Sequence, residues 1–189
     1  MYRCLYLIGG GRYSGKTSLL RSLIDLLAFD LIHLLSSSDI YIKLLGVCHN
    51  RIVDLLQHCS PIRLMKQNQW IMIPDEEYHL KTDQDIDYIV CQVKKRRRYM
   101  HQLIQINFYE KDHSTVIGSL MIALLASSQY IYTRNLCSHR RKFLINSLNK
   151  TMLSFKRALL GIRQHPDQIR AGKFIYFLLL STTLISSSF

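Results

Sequence analysis

Residues 9–18, "GGGRYSGKTS", follow the apolar run "CLYLI" and precede the leucine-rich stretch "LLRSLIDLLAF". Gly10, Gly15, Lys16 and Thr17 fit the pattern G-x-x-x-x-G-K-[ST] without a gap, between a predicted strand and the start of a predicted helix. Backbone N–H groups at such a junction converge on phosphate oxygens, and the helix dipole favours their negative charge. The stretch therefore predicts a phosphate-binding loop rather than a flexible glycine-rich turn.

ATP and Mg²⁺ are the ligands that this loop predicts. Lys16 is expected to reach the β- and γ-phosphates and to act in catalysis, and the Thr17 hydroxyl is expected to bind Mg²⁺. The residues expected to contact the nucleotide are Gly10, Gly11, Arg12, Tyr13, Ser14, Gly15, Lys16, Thr17 and Ser18.

The chain has 189 residues, of which 48% are hydrophobic and 20% charged, so one globular domain over residues 1–189 is expected. A net charge of +12 favours a polyanionic partner, either nucleic acid or an anionic membrane surface. The five cysteines form no C-x-x-C pair and are odd in number, which excludes a zinc ribbon and a disulfide framework.

Apolar segments alternate between strand-like and helix-like patterns along the chain. Strands are predicted at 5–9, at 30–35 and in "NQWIMI" and "QLIQINFYE"; helices are predicted at 16–29, at 85–100 and in "RIVDLLQHC" and "TVIGSLMIALLA". This order predicts the α/β class, with a mainly parallel central sheet flanked by helices.

A second carboxylate-bearing segment completes the predicted ATP site. In "WIMIPDEE" a predicted central strand ends at Asp75, which is expected to hold Mg²⁺, and Glu76 is expected to be the general base. A solvated acidic loop is the alternative interpretation, and Glu110 with Asp112 is the second candidate pair. A small GTPase is not favoured, because the chain has neither D-x-x-G nor N-K-x-D.

The order of these motifs resembles the FtsK/HerA superfamily, most closely the genome-packaging ATPases of icosahedral archaeal and bacterial viruses with internal membranes. "GGRYSGKTSLL" is similar to their G-R-x-x-S-G-K-S loop, and "IPDEEYHL" to their I-D-E-A-Y-x-x-F element. "SSQYIYTRN" is similar to a later strand of that family, and the likeness extends over residues 6–177.

The resemblance implies a single RecA-like (ASCE) domain that assembles into a ring, expected to be a hexamer. It also implies ATP-driven translocation of double-stranded DNA into a capsid, with a capsid or portal-vertex protein as a further partner. Asn107 would be the sensor residue, with Gln105 as its alternative. Arg98 would be the arginine finger, ahead of Arg97 and Arg134. The expected location is the host cytoplasm, with association with the virion as a further expectation.

Two other functions compete with DNA packaging. A Zot-like phage assembly ATPase would be anchored in a membrane, and a small nucleoside or nucleotide kinase would suit the chain length. The uncharged stretch 174–189 bears on the first of these, since its 16 residues fall short of the roughly 20 that span a bilayer as a helix. A buried strand is therefore favoured over membrane association, and the role of the apolar tail at 178–189 is left open.

Overall fold

The computed structural model describes residues 2–9, 13–48, 51–62, 65–67, 70–72, 77–95, 100–111, 115–126, 145, 146 and 149. Its helices are α1 (Lys16–Leu34) and α2 (Asp83–Lys94). Its strands are β1 (Tyr2–Ile8), β2 (Asp39–Cys48), β3 (Arg51–Asp54), β4 (Ser60–Pro61), β5 (Met65–Gln67), β6 (Trp70–Met72), β7 (Tyr78–Leu80), β8 (His101–Tyr109) and β9 (Val116–Leu124).

Seven of these strands form one mixed sheet in the order β1-β9-β8-β2-β3-β4, with β7 also pairing with β2. Only β1 and β9 pair in parallel; the other described pairs of this sheet are antiparallel. The expected mainly parallel, RecA-like sheet is therefore wrong. The physical reason is the short connection between β8 and β9, which allows a hairpin but leaves no room for a crossover helix.

Strand β9 occupies a segment that the apolar pattern predicted to be a helix. Its neighbours are β1 on one side and β8 on the other, so both of its edges are hydrogen-bonded, and the successive residues Ile122 and Ala123, which face opposite sides of the sheet, are both buried. A strand buried on both faces has a nearly continuous apolar sequence, which periodicity alone does not distinguish from a buried helix. Ile122, at 0% exposure, lies at the centre of the main apolar cluster.

Helix α1 continues through the segment 30–35 that was predicted to be a separate strand. Leu20, Ile24 and Leu31 form its buried stripe, at spacings of four and seven residues. These spacings keep all three side chains on the face that packs against the sheet. Leu31 thus extends the helical stripe of α1, and the predicted second strand is wrong.

Strand β6 is also placed differently from the sequence expectation. It pairs with β5 in a separate two-stranded antiparallel sheet and not with the seven-stranded sheet. The expectation that this strand is central is therefore wrong. Asp75 and Glu76 themselves lie outside the described residues.

Helix α2 begins with a capping box. The Thr82 hydroxyl accepts a hydrogen bond from the Asp85 N–H, and the Asp85 carboxylate accepts one at 2.9 Å from the Thr82 N–H. The same carboxylate accepts hydrogen bonds from the Tyr78 hydroxyl at 2.8 Å and from the Lys81 N–H at 3.0 Å. These hydrogen bonds lower the pKa of Asp85 to about 2, and the bond from Tyr78 has the largest effect.

We expect Asp85→Ala to lower the free energy of unfolding at pH 7 by about 1 kcal/mol, because it removes the N3 half of the capping box and the hydrogen bond from the Tyr78 hydroxyl. Because the pKa is lower in the folded state, the stabilisation is present above the ordinary value of 3.8 and is lost as the pH falls toward about 2. Urea unfolding at pH 7 and pH 2.5 should therefore show a difference between the variant and the wild type that shrinks in acid. A difference that is equal at both pH values would contradict this role.

Candidate nucleotide site

The phosphate loop connects β1 to α1. Gly9 follows the strand, and Gly15 is the N-cap of the helix with a positive φ of 77°, a conformation that glycine adopts without strain. Tyr13 also has a positive φ, of 65°, and its side chain is 88% exposed. Gly10, Gly11 and Arg12, which complete the predicted motif, lie outside the described residues.

The first turn of α1 is arranged to attract an anion. Its N-cap residue has no side chain to accept hydrogen bonds from the first N–H groups, and this turn contains no acidic residue. The first N–H groups of a helix have no acceptor within the helix, and they lie at the positive end of its dipole. The backbone of Lys16, Thr17 and Ser18 therefore presents donors where a phosphate group would lie.

The Lys16 ammonium lies over its own loop, where it donates a hydrogen bond to the Ser14 hydroxyl at 3.5 Å. Burial lowers the pKa of Lys16 below its ordinary value, because partial desolvation disfavours the charged form. The folded chain therefore holds a cation in a place where a bound polyanion would compensate its lost hydration. Lys16 is the first residue of α1, and its role toward a nucleotide stays a prediction.

The strand next to this loop is β9, and it ends in apolar residues. Ile8 of β1 pairs with Leu124, and the Leu125 N–H donates to the Ile8 carbonyl at 2.9 Å. Mg²⁺ in a phosphate-loop site is usually held by the loop Ser/Thr and by a carboxylate at the end of a nearby strand. Thr17 fits that requirement, whereas β9 ends without a carboxylate. No group of three or more His, Cys, Asp or Glu side chains within the described ranges is placed to hold a metal ion.

His101 is a buried side chain at this end of the sheet that the sequence did not single out. Its Nδ1 accepts a hydrogen bond from the Ala126 N–H at 3.1 Å, just beyond the end of β9. Burial lowers the pKa of His101 to about 4, so the ring is neutral near pH 7. His101 thus holds the backbone that follows β9. Without a motif around it, only the strand register reveals this contact.

Asn107, the predicted sensor, lies toward the other end of the sheet. It pairs with Ser119, five residues before Leu124, which is about 17 Å along a strand at ~3.4 Å per residue. Its side chain donates to Glu77 at 2.8 Å and accepts a hydrogen bond from Gln105, and Glu77 also pairs with Lys43 at 3.2 Å. The structure therefore does not bring Asn107 to the phosphate loop.

The other predicted site residues are not brought together in the described part of the chain. Glu110 follows β8, whose carboxyl end lies beside the start of β9 and away from the loop. Its partner candidate Asp112, the predicted arginine finger Arg98, and the alternatives Arg97 and Arg134 lie outside the described residues. Their roles stay predictions, as do those of Asp75 and Glu76.

No family model matches the chain, and no curated protein matches it in sequence. Solved structures do match in fold, and three of them are kinesin motors. The motor and motor homology domain of Kar3Vik1 is 19% identical with a TM-score of 0.55, covering 84% of this chain and 46% of that one. A mutant of the kinesin motor ATPase is 20% identical with a TM-score of 0.59, covering 96% and 62%.

The third structure is a KIF14 dimer in its two-heads-bound state, with AMP-PNP and in complex with a microtubule. It is 17% identical with a TM-score of 0.64, and the match covers 90% of this chain and 57% of that one. This chain thus spans about half to three-fifths of the length of these motors. Likeness at this level of identity shows a fold similar to that of part of a kinesin motor domain.

The fold comparison corrects the family resemblance drawn from the motifs. The structural neighbours are kinesin motors, so the likeness to FtsK/HerA packaging ATPases is wrong. The implied packaging of double-stranded DNA, the hexameric ring and the capsid or portal partner are wrong with it, and the Zot-like and kinase alternatives gain no support. The resemblance rested on short motifs, chiefly the phosphate loop, and such a local motif does not by itself specify a fold family. The coarser expectation was an ATPase that binds ATP with Mg²⁺. It agrees with the comparison in general terms, because one of the neighbours is the kinesin motor ATPase.

In the described part of the chain, no helix has both the length and the apolar character required to cross a membrane. The apolar tail at 178–189, which bore on membrane association, lies outside the described residues.

Proposed function

We propose that this chain is a kinesin-like motor domain that binds and hydrolyses ATP and associates with microtubules in a nucleotide-dependent way. The observation that carries the proposal is the Gly15-Lys16-Thr17 turn between β1 and α1, within a fold shared with kinesin motors. A phosphate loop is a local device found in many folds, so neither the loop nor the fold alone would support this function.

Each loop residue has a role in the proposal. The ammonium of Lys16 neutralises the β- and γ-phosphates, and the backbone N–H groups from Tyr13 to Ser18 surround the phosphate oxygens, with Gly10, Gly11 and Arg12 completing the loop. Among the described groups, the Thr17 hydroxyl would hold Mg²⁺. The ion would supply positive charge that offsets the charge of the phosphates.

The partner in the proposal is a microtubule, because that is the partner of the KIF14 neighbour. The net charge of +12 would favour any filament with an acidic surface, but charge alone does not make binding depend on the nucleotide. Dependence on the nucleotide is therefore the property that distinguishes motor-type association from non-specific adsorption of a basic protein.

We expect the chain to co-sediment with microtubules with a Kd that differs by at least about threefold between AMP-PNP and ADP, a coupling of roughly 0.7 kcal/mol or more. A pelleting assay at a fixed salt concentration measures both affinities. Lys16→Ala is the matched control, since it should keep the basal affinity but lose the difference between nucleotides. Equal affinity with both nucleotides, or no association at all, would contradict the proposal.

A further inference from the structure

The end of β9 meets the phosphate loop at the carboxyl edge of the only parallel strand pair that the structure describes. The register places Leu124 beside Ile8, one residue before Gly9, and the Leu125 N–H donates to the Ile8 carbonyl. Because the carboxyl ends of parallel strands lie at the same edge of a sheet, the residue at position 124 is a direct neighbour of the loop.

Leu124 also lies on the face of the sheet that α1 covers. It packs against the main apolar cluster, which contains Leu20 and Ile24 of that helix. Leu20 comes three residues after Thr17, and residues three apart lie on the same side of a helix. The side chain at position 124 is therefore on the side of the sheet where Thr17 would meet a metal ion.

Five of the described carboxylates are engaged elsewhere. Glu77 pairs with Lys43, Asp25 with Lys94, and Asp39 with His79. Asp85 caps α2, and Asp54 accepts hydrogen bonds from the turn after β3. None of these five carboxylates is engaged with Thr17, and the strand-end position beside the loop is occupied by the isobutyl group of Leu124.

We propose that Leu124 makes nucleotide binding by this chain nearly independent of divalent metal. A carboxylate at this position would repel the phosphates of the metal-free nucleotide, and a bound cation would relieve the repulsion. With leucine there, Lys16 and the N–H groups of the first helical turn bind the free nucleotide anion about as well as its magnesium complex. The inference rests on the proposed function, because it concerns the same site.

The first test needs no variant. The Kd of the wild-type chain for a fluorescent ATP analogue is measured with excess Mg²⁺ and with excess EDTA at equal ionic strength. We expect the two values to agree within about threefold, less than 0.7 kcal/mol. Binding that is about tenfold or more tighter with Mg²⁺ would overturn the inference and leave the proposed function standing. No binding in either buffer would overturn both, so the two failures are distinguishable.

The second test introduces the missing charge. Leu124→Asp should weaken binding in EDTA by about tenfold or more and restore much of it with Mg²⁺, because the carboxylate both repels the phosphates and binds the cation. Leu124→Asn is the matched control: it has nearly the same shape and a similar cost of burial, but no charge.

The asparagine variant should bind with the same affinity in both buffers. If both variants gain the same Mg²⁺ dependence, or if neither does while both remain folded by circular dichroism, the inference is overturned. If either variant does not fold, the comparison of the wild-type chain in the two buffers decides the matter.

Discussion

Replacing Lys16 by alanine should weaken ATP binding by about 10- to 100-fold, since a charge-assisted contact to phosphate contributes roughly 1.5–3 kcal/mol and 1.4 kcal/mol is a factor of ten. The ammonium lies over the loop that joins β1 to α1, within hydrogen-bonding distance of Ser14. Its removal leaves only the backbone donors and the helix dipole for the phosphates. Titration with a fluorescent ATP analogue measures the loss.

Lys111→Ala is the matched control for this variant. It removes the same charge from an exposed turn after β8, at the end of that strand away from the loop. The control should change the affinity by less than about twofold, because exposed charges farther apart than a Debye length of ~10 Å are largely screened. Equal losses in both variants would show that general attraction to a basic protein, and not the loop, binds the nucleotide.

The stability of Lys16→Ala provides a second readout. Because burial lowers the pKa of Lys16, its charged form costs folding stability at neutral pH, and this cost disappears with the side chain. The variant should therefore unfold at the same temperature as the wild type or slightly above it. A loss of affinity that came with a lower unfolding temperature would instead indicate a damaged fold.

Gly46→Ala is expected to lower the free energy of unfolding by about 2–3 kcal/mol, near the upper end for overpacked cores. A Cβ at this position of β2 would overlap the Met100 sulfur and would lie 2.9 Å from methyl carbons of both Leu55 and Val53. Met100 is flexible and could move, but the two branched side chains belong to the strand and turn packed beside β2. Urea unfolding at neutral pH measures the change.

Gly9→Ala is the matched control for this position. A Cβ there would meet only the Leu125 Cδ1 at 3.7 Å, an ordinary van der Waals distance. The control should change the free energy of unfolding by less than about 0.5 kcal/mol, as is usual where no special feature is disturbed. If Gly46→Ala were as stable as this control, the core around Met100 would have room that the packing does not suggest.

The local parts of the fold could be predicted from the sequence. Strand β1, the glycine-rich loop and the start of α1 follow one another directly, and each has a strong signal in a few consecutive residues. Helix α2 is similar, because Thr82 and Asp85 form its cap within one turn. The predictions failed for β9 and for the end of α1, where continuous apolar runs fit a strand and a helix equally well. They also failed for residues 51–59, which were predicted to be a helix and form β3 and a turn.

The candidate site also has a part that the sequence indicates and a part that depends on tertiary structure. Lys16 and Thr17 belong to one contiguous motif whose phosphate chemistry follows from its spacing. The residue opposite the loop depends instead on which strand pairs with β1, and β9 lies more than a hundred residues later in the chain. Asp75 follows an apolar run and carries a carboxylate, so the sequence pointed to it. A leucine within an apolar segment, such as Leu124, gives no chemical signal.

The sequence by itself determined a phosphate loop at a strand–helix junction and the groups that it offers to a nucleotide, because these depend on neighbours in the chain. Only the tertiary structure decided that the sheet is mixed, that the fold is similar to that of kinesin motors, and that Leu124 and His101 lie at the loop end of the sheet. Strand order and direction depend on which distant apolar faces are buried together. Local patterns carry little information about that choice, which is made by packing over the whole domain.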